Sequence, residues 1–293
     1  MLRLQGAIIM QVLPFPLHRR PERAAISLAG ADVSGFLQGL LTADVETLAA
    51  GEAAYAALLQ PQGKILFDFF VLNIGERYLI DCSAAQKPGL IKRLMFYKLR
   101  ARVDIADLAD HGVGVSFTRP SDSLSFVDPR TPLLGWRVIA PAGALPDIDG
   151  SRYRLGRIRL GIGDSEEDIG SGKLFPHEAN LDQLGGVSFS KGCFVGQEVV
   201  SRMEHRGTAR SRIVPMSVAG GAPAHGIEVK AGEGTLGTVL SSDGEDALAL
   251  IRLDRLADAA QERRALLTEG KRVHVRKPQW AKFEVAAAAA EVD

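Results

Sequence analysis

The chain has 293 residues, 46% of them hydrophobic, with 35 Lys and Arg balanced by 35 Asp and Glu. This is enough for a large core and more than one domain, while a formal net charge of zero supplies no overall field for gripping nucleic acid or an anionic membrane. Its two cysteines, Cys82 and Cys193, lie far apart without CxxC spacing, which excludes a disulfide framework and a metal or iron–sulfur cage made by this chain alone, and predicts a reducing, cytoplasmic setting.

No apolar run reaches transmembrane length. The patch from Ala7 to Leu17 is short, is interrupted by Gln11 and two prolines, and lacks a small-residue cleavage site, so no signal peptide is expected. The first unit begins near Ala24 with the strand-like AAISL. Val33, Phe36, Leu37, Leu40 and Leu41 then mark one face of a helix, with Asp32 at its N-cap. A turn at Gln62-Gly63 opens a long apolar strand that carries Asp68 in its middle. That carboxylate either faces solvent from an edge strand or is a buried acid with a raised pKa lining a pocket.

From Gln86 to Leu99 the spacing predicts a second helix, with Leu90, Ile91, Leu94 and Met95 inward and Lys87, Lys92, Arg93 and Lys98 outward. The basic side reads as a solvated face, or as a rim able to receive a phosphate or carboxylate tail. Residues 103–160 read as short strands and turns, including VGVSF, LLGWRVIA and a proline-rich loop, and nothing there carries chemistry. Strands interleaved with helices in this way predict an α+β fold in preference to a doubly wound sheet. The acidic group Asp164, Glu166, Glu167 and Asp168 has no EF-hand spacing and reads as a solvated loop or helix start. His177-Glu178 is not an HExxH motif, because Leu181 stands where the second histidine would be.

The stretch KGCFVGQE, Lys191 to Glu198, organises the rest. Val187, Ser188 and Phe189 alternate like a half-buried strand, Lys191-Gly192 makes a turn, and Val195, Val199 and Met203 follow at helical spacing with Glu198 and Arg202 placed for an i,i+4 pair. Cys193 is then either a small buried hydrophobe or a thiol activated by a helix start and by Lys191. Beyond Arg206-Gly207 the texture changes to short strands and glycine turns, which predicts a small antiparallel barrel or sandwich and a boundary between domains 1–207 and 208–293. Gly232, Gly234 and Gly237 fit GxGxxG but lead into a strand, so they read as turns and not as a dinucleotide site. The terminal AAAAAEVD reads as a frayed tail.

The run from Phe175 through Gly207, with EANLD, KGCFVGQE and the R…RG tail, resembles the signature of the folate-binding YgfZ/Iba57 family, relatives of the glycine-cleavage T-protein, an aminomethyltransferase. FLQGLLTADV, Phe36 to Val45, and the Gly63-Lys64 segment leading to Asp68 resemble the N-terminal part of the same family. The resemblance implies a GcvT-like fold of two interwoven α+β subdomains around a central channel, followed by the barrel. It also implies tetrahydrofolate as ligand, a role in assembling or repairing iron–sulfur clusters in client enzymes, including those that thiolate tRNA, and partners drawn from that machinery without direct contact to nucleic acid. By the same resemblance Cys193 and Asp68 carry chemistry, and Lys191, Glu178, Arg202 and Gln197 line the folate side. The T-protein has two adjacent aspartates where this chain has Phe67 and Asp68, and a pterin-binding glutamate where it has Gly161. A folate-dependent one-carbon transferase is the rival function, and a scaffold that has lost its ligand a third.

Overall fold

The computed structural model describes residues 13–286 except 122 and 208. The first twelve residues and residues 287–293 lie outside it, so most of the N-terminal apolar patch and the expected tail are not described. The elements run β1 (His18–Arg19), β2 (Arg23–Ala29), α1 (Val33–Leu40), β3 (Ala53–Leu59), β4 (Ile65–Asn73), β5 (Arg77–Ser83), α2 (Lys87–Lys98), β6 (Asp104–Asp107), β7 (His111–Ser116), β8 (Leu124–Val127) and β9 (Trp136–Pro141). There follow α3 (Ser151–Leu160), α4 (Gln197–Arg206), β10 (Ser211–Val218), β11 (Glu228–Ala231), β12 (Gly234–Asp243), β13 (Asp246–Arg252), α5 (Leu253–Gln261), β14 (Leu266–Thr268) and β15 (Lys271–Val275).

Three antiparallel sheets result. One has the order β3-β4-β5-β2-β6, a second β1-β7-β9-β8, and the third is a closed barrel, β10-β13-β12-β11-β14-β15. The first two are interwoven, because β1 joins the second sheet before the chain returns to build the first.

Side-chain alternation along β4 explains its near-continuous apolar run. Phe67, Phe69 and Val71 face α1 and α2, in a cluster with Leu37, Leu90 and Leu94, whereas Phe70 and Leu72 face the second sheet, in a cluster with Val115, Phe126 and Ile139; Ile65 joins the second cluster across a register shift in the β3–β4 pairing. The strand is buried on both sides. Asp68 shares the face of Phe70, so its carboxylate enters the space between the two sheets and does not sit on a solvated edge.

Several elements differ from the sequence expectation. α3 falls in the stretch read as strands and turns: SRYRLGRIRL has almost no apolar stripe, because its Arg157 is itself buried and ion-paired. Val187 to Phe189 is not a strand, although Ser188 N–H still donates to the Thr42 carbonyl at 2.8 Å. Asp32 occupies the expected N-cap position of α1 but makes no side-chain cap hydrogen bond; its carboxylate instead accepts from the Arg102 guanidinium and backbone N–H, which holds its pKa down to about 2. Met95, assigned inward, is exposed. α5 was not anticipated.

The glycine trio of the false nucleotide motif shapes the β11–β12 hairpin. A Cβ on Gly237 would stand 2.0 Å from the Leu250 carbonyl oxygen, so the ladder itself needs glycine there.

Candidate functional site

Between the two open sheets lies a buried ionic layer. Arg23 donates from Nε to Asp81 Oδ1 at 2.8 Å and from a terminal nitrogen to the Asp81 carbonyl at 2.7 Å. Arg137 donates from Nε to the other Asp81 oxygen at 2.6 Å and reaches Asp128 at 3.4 Å. Arg130 forks onto Asp128 at 3.0 and 2.8 Å. All three guanidiniums stand over the ring of Phe70, that of Arg137 at 4.0 Å. Low exposure makes each pairing obligatory, since an unpaired charge here would be costly.

Asp68 adjoins this layer. Its Oδ2 accepts from Tyr55 O–H at 3.0 Å and from Ser165 Oγ at 2.9 Å, and Ser165 in turn accepts from Arg23 at 2.8 Å. Burial raises the Asp68 pKa, opposed by Arg23 and by the two hydroxyl donors. Burial, reinforced by Asp68, likewise raises that of Tyr55. The buried, raised-pKa alternative is therefore the one the fold adopts, but Asp68 lines none of the described cavities.

Ser165 begins a single π-helical turn, Ser165–Ile169, preceded by Asp164. The acidic group splits here: Glu166 and Glu167 face outward, while Asp168 is buried and takes Arg157 at 2.6 Å and the Ser241 N–H of the barrel at 2.8 Å. Asp164 is nearly covered as well, and although burial opposes it, Arg157, Arg20 and Arg23 hold its pKa well below the carboxylate range. Solvation of these two acids, expected from sequence, is corrected by arginines supplied from α3 and from the loop after β1.

This turn forms one wall of a cavity of about 430 Å³. His18, Arg20, Ile148, Gly150, Arg154 and Glu166 are among its other lining residues. His18 donates from Nδ1 to the Pro16 carbonyl at 3.0 Å, burial lowers its pKa, and its buried Nε2 has no protein partner. A second cavity of about 330 Å³ shares Arg154, Glu166 and Glu167 and continues to Ser241 and Ser242 on the barrel. Together they run from the β1 end of the second sheet, past α3 and the π-helical turn, to the barrel.

The remaining sequence candidates lie elsewhere. Lys191 is buried, and its Nζ donates to the carbonyls of Gln38, Leu41 and Ala43 at 2.6, 2.7 and 2.8 Å. All three of its protons are thus engaged at the C-terminal end of α1. Burial pulls its pKa down to about 8, while the carboxylates of Asp44 and Glu46 favour the ammonium. Glu178 accepts from the Phe175 N–H at 2.9 Å and shapes its own loop. Arg202 and Glu198 form the expected i,i+4 pair at 2.7 Å on the exposed side of α4, which Gln197 begins. Cys193 is exposed on the loop before α4, whereas Cys82 is buried and its pKa is pushed up to about 12. The loop is held against the β3–β4 turn, where a Cβ on Gly63 would stand 2.8 Å from Val199 and one on Gly196 2.7 Å from the Gln60 carbonyl oxygen. Activation of Cys193 by Lys191 is corrected, since the ammonium points into the end of α1. The helix start does not reach it either, because α4 begins only at Gln197.

His177 Nε2, Asp182 and Glu204 bring potential metal-ligating atoms within 4.8 Å of one another. Arg212 occupies both Asp182 oxygens at 2.6 and 3.0 Å, which sets a cation against any metal there.

Comparison with known proteins places this geometry. Residues 210–283 match the CAF17 C-terminal beta-barrel domain. The mitochondrial iron–sulfur cluster assembly factor IBA57 of Mus musculus is 30% identical over 280 residues, covering 81% of this chain and 78% of its own length, and the homologue of Pyricularia oryzae is 31% identical over 285 residues, with 81% and 72% covered. The chain belongs to the IBA57 family. Against the homologue of Mycosarcoma maydis, 33% identical over 229 residues, it spans 57% of that protein's length. The IBA57 relatives are named as mitochondrial, a finding against which the cytoplasmic expectation does not stand. Glycine cleavage system aminomethyltransferase T from Bartonella henselae superposes with a TM-score of 0.73 at 16% identity, over 91% of this chain and 86% of that one, which establishes the GcvT-like fold. Among the described residues no helix is long and apolar enough to cross a membrane.

Sequence reasoning missed the ionic layer. The signal was present in YLIDCS and GWRVIA, where a single charge interrupts an apolar strand; read together, Asp81 and Arg137 are complementary. Gly161 is the position that the resemblance matches to the pterin-binding glutamate of the T-protein. It ends α3 at φ 77°, and a Cβ there would lie 2.9 Å from both Pro215 and Pro278, so a glutamate could not be seated without moving the barrel.

Proposed function

We propose that this protein assists the assembly or repair of iron–sulfur clusters in client enzymes, among them enzymes that thiolate tRNA, by offering Cys193 as a soft ligand to a cluster in transit. The observation that carries the reading is the exposed thiol on the KGCFVGQE loop, in a chain of the IBA57 family, whose relatives are named for cluster assembly. A thiolate binds iron well, yet one thiol cannot fill the positions of a cluster, so partner proteins must supply the remainder.

Reduced folate belongs to the same proposal as ligand of the cavity beside the π-helical turn. The volume, about 430 Å³, falls within the usual range for small-molecule sites. The chemistry of the lining suits a heterocycle carrying N–H donors and a carboxylate tail: His18 Nε2 accepts, Glu166 accepts, and Arg154 donates. Bound there, folate would supply a one-carbon carrier. Lys191 and Arg202 are absent from this lining. Aminomethyl transfer through Asp68 is disfavoured because its carboxylate is enclosed by Tyr55, Ser165 and Arg23.

The test is Cys193→Ser in cells that have no other copy. Activity of radical iron–sulfur enzymes is expected to fall while the protein's level, melting temperature and folate affinity by calorimetry stay at wild-type values. Full client activity at equal protein level would reject the role of the thiol, and absence of saturable folate binding at millimolar concentration would reject the ligand.

A further inference from the structure

Helix α2 buries only Leu90 and Leu94, whereas Met95, Phe96 and Leu99 stand 51, 68 and 88% exposed. Ile91, Met95 and Leu99 are spaced i, i+4, i+8 and so form one stripe, with Phe96 beside it. Leu99 ends the helix at φ 44°, in the left-handed region where a branched side chain is strained and glycine is the usual choice. Nothing in the core repays that strain, because the side chain lies almost wholly in solvent. Lys92, Arg93, Lys98 and Arg100 flank the stripe. Among the described residues none of these four forms a side-chain ion pair, although Lys87 at one end takes Asp107 and Arg102 beyond the other takes Asp32.

We propose that this stripe is the docking surface for a protein partner that presents an apolar cleft rimmed by carboxylates, and that the same partner completes the ligand set around Cys193; this rests on the reading above. Apolar knobs inside a ring of unpaired cations are complementary to such a cleft in shape and charge. α1 and α2 cover the same face of the five-stranded sheet, Lys191 ties the Cys193 loop to the end of α1, and Val195 packs against the same apolar cluster as Ile91. One partner can therefore approach the stripe and the thiol from one side. An anionic membrane fits less well: the chain's net charge is zero, and three exposed side chains are a small area for interfacial insertion.

The test uses the full chain carrying a photo-reactive benzoylphenylalanine at Phe96, or at the exposed control Leu133, in cells of the source organism, with adducts identified by mass spectrometry. The expected result is an adduct specific to position 96 with an acidic protein that binds an iron–sulfur cluster, lost when Lys92, Lys98 and Arg100 are changed to Glu. That protein, purified, should bind Leu99→Gly at least about tenfold more weakly than wild type, while the variant, relieved of its backbone strain, melts no lower. A phospholipid adduct, an adduct unaffected by charge reversal, or none above the Leu133 control would overturn the docking surface. An acidic partner without a cluster would keep the surface and reject the cluster-assembly reading instead.

Discussion

Between the sheets, Arg23, Asp81, Arg137, Asp128 and Arg130 satisfy one another's charges in a layer closed to solvent, whereas along the rim the loop carrying Cys193 is fixed at both ends and leaves its thiol in water. The two regions hold the groups that the family resemblance assigns to chemistry, and they treat them oppositely. Asp68 is enclosed by donors from its own chain; Cys193 is accessible to a visitor. The fold is shared with an aminomethyltransferase; in this chain ion pairs join the two sheets at the centre, and the reachable thiol lies at the edge.

The largest effect that tests this contrast is expected at Asp81. It is fully buried and accepts from two arginines on different sheets, so Asp81→Ala leaves Arg23 and Arg137 facing each other without their shared anion. A loss of about 3–5 kcal/mol in urea unfolding is expected, against roughly 0–1 kcal/mol for removing Glu198 from its exposed pair with Arg202. Equal losses at the two positions would show that the layer does not hold the sheets.

A smaller loss is expected at Lys191. Replacing it with Met keeps much of the stem but leaves three carbonyls at the end of α1 without their donor, a cost of about 1–3 kcal/mol. The loop should loosen with it, so hydrogen exchange at residues 188–196 should quicken while the barrel strands are unchanged. Unaltered exchange would mean that Gly63 and Gly196 alone hold the loop.

How much of this was legible depended on whether a residue's role was local. The barrel was readable because its strands alternate and its turns carry glycine. α1 was readable because Leu37 and Leu40 recur at helical spacing. α3 was not, since its buried arginine mimics a solvated one in any scheme that counts charges as exposed. The role of Lys191 was also invisible, as its partners lie about 150 residues away and are backbone carbonyls without a side-chain signature. Asp68 was recognisable as anomalous, but the hydroxyls that enclose it come from Tyr55 and Ser165, one strand and nearly one hundred residues away.

Asp68 itself gives a pH-dependent test. Its native pKa is raised above the ordinary 3.8, so the stability contributed by the protonated form is fully present below about pH 3.8 and is lost as pH rises through the native value. Asp68→Asn retains an acceptor for Tyr55 and Ser165 without the buried charge. The variant should therefore gain relative to wild type between pH 4 and pH 7, by less than about 1 kcal/mol at neutrality. A relative loss over that interval would mean that Arg23 stabilises the carboxylate enough to outweigh its burial.

The smallest effect on stability is expected at Cys193, and it separates the two regions most clearly. Cys193→Ser removes an exposed sulfur, so the unfolding midpoint should move by no more than about 0.5 kcal/mol equivalent. Accessibility to a thiol reagent should change completely. In the folded wild type one thiol should react with Ellman's reagent and a second only after denaturation, because Cys82 is buried and its pKa is pushed up to about 12, which leaves almost no thiolate at neutral pH. The serine variant should show none when folded and one when unfolded. Two fast thiols in the native wild type would place Cys82 within reach of solvent, and the core face of the first sheet would then be open where the structure has it closed.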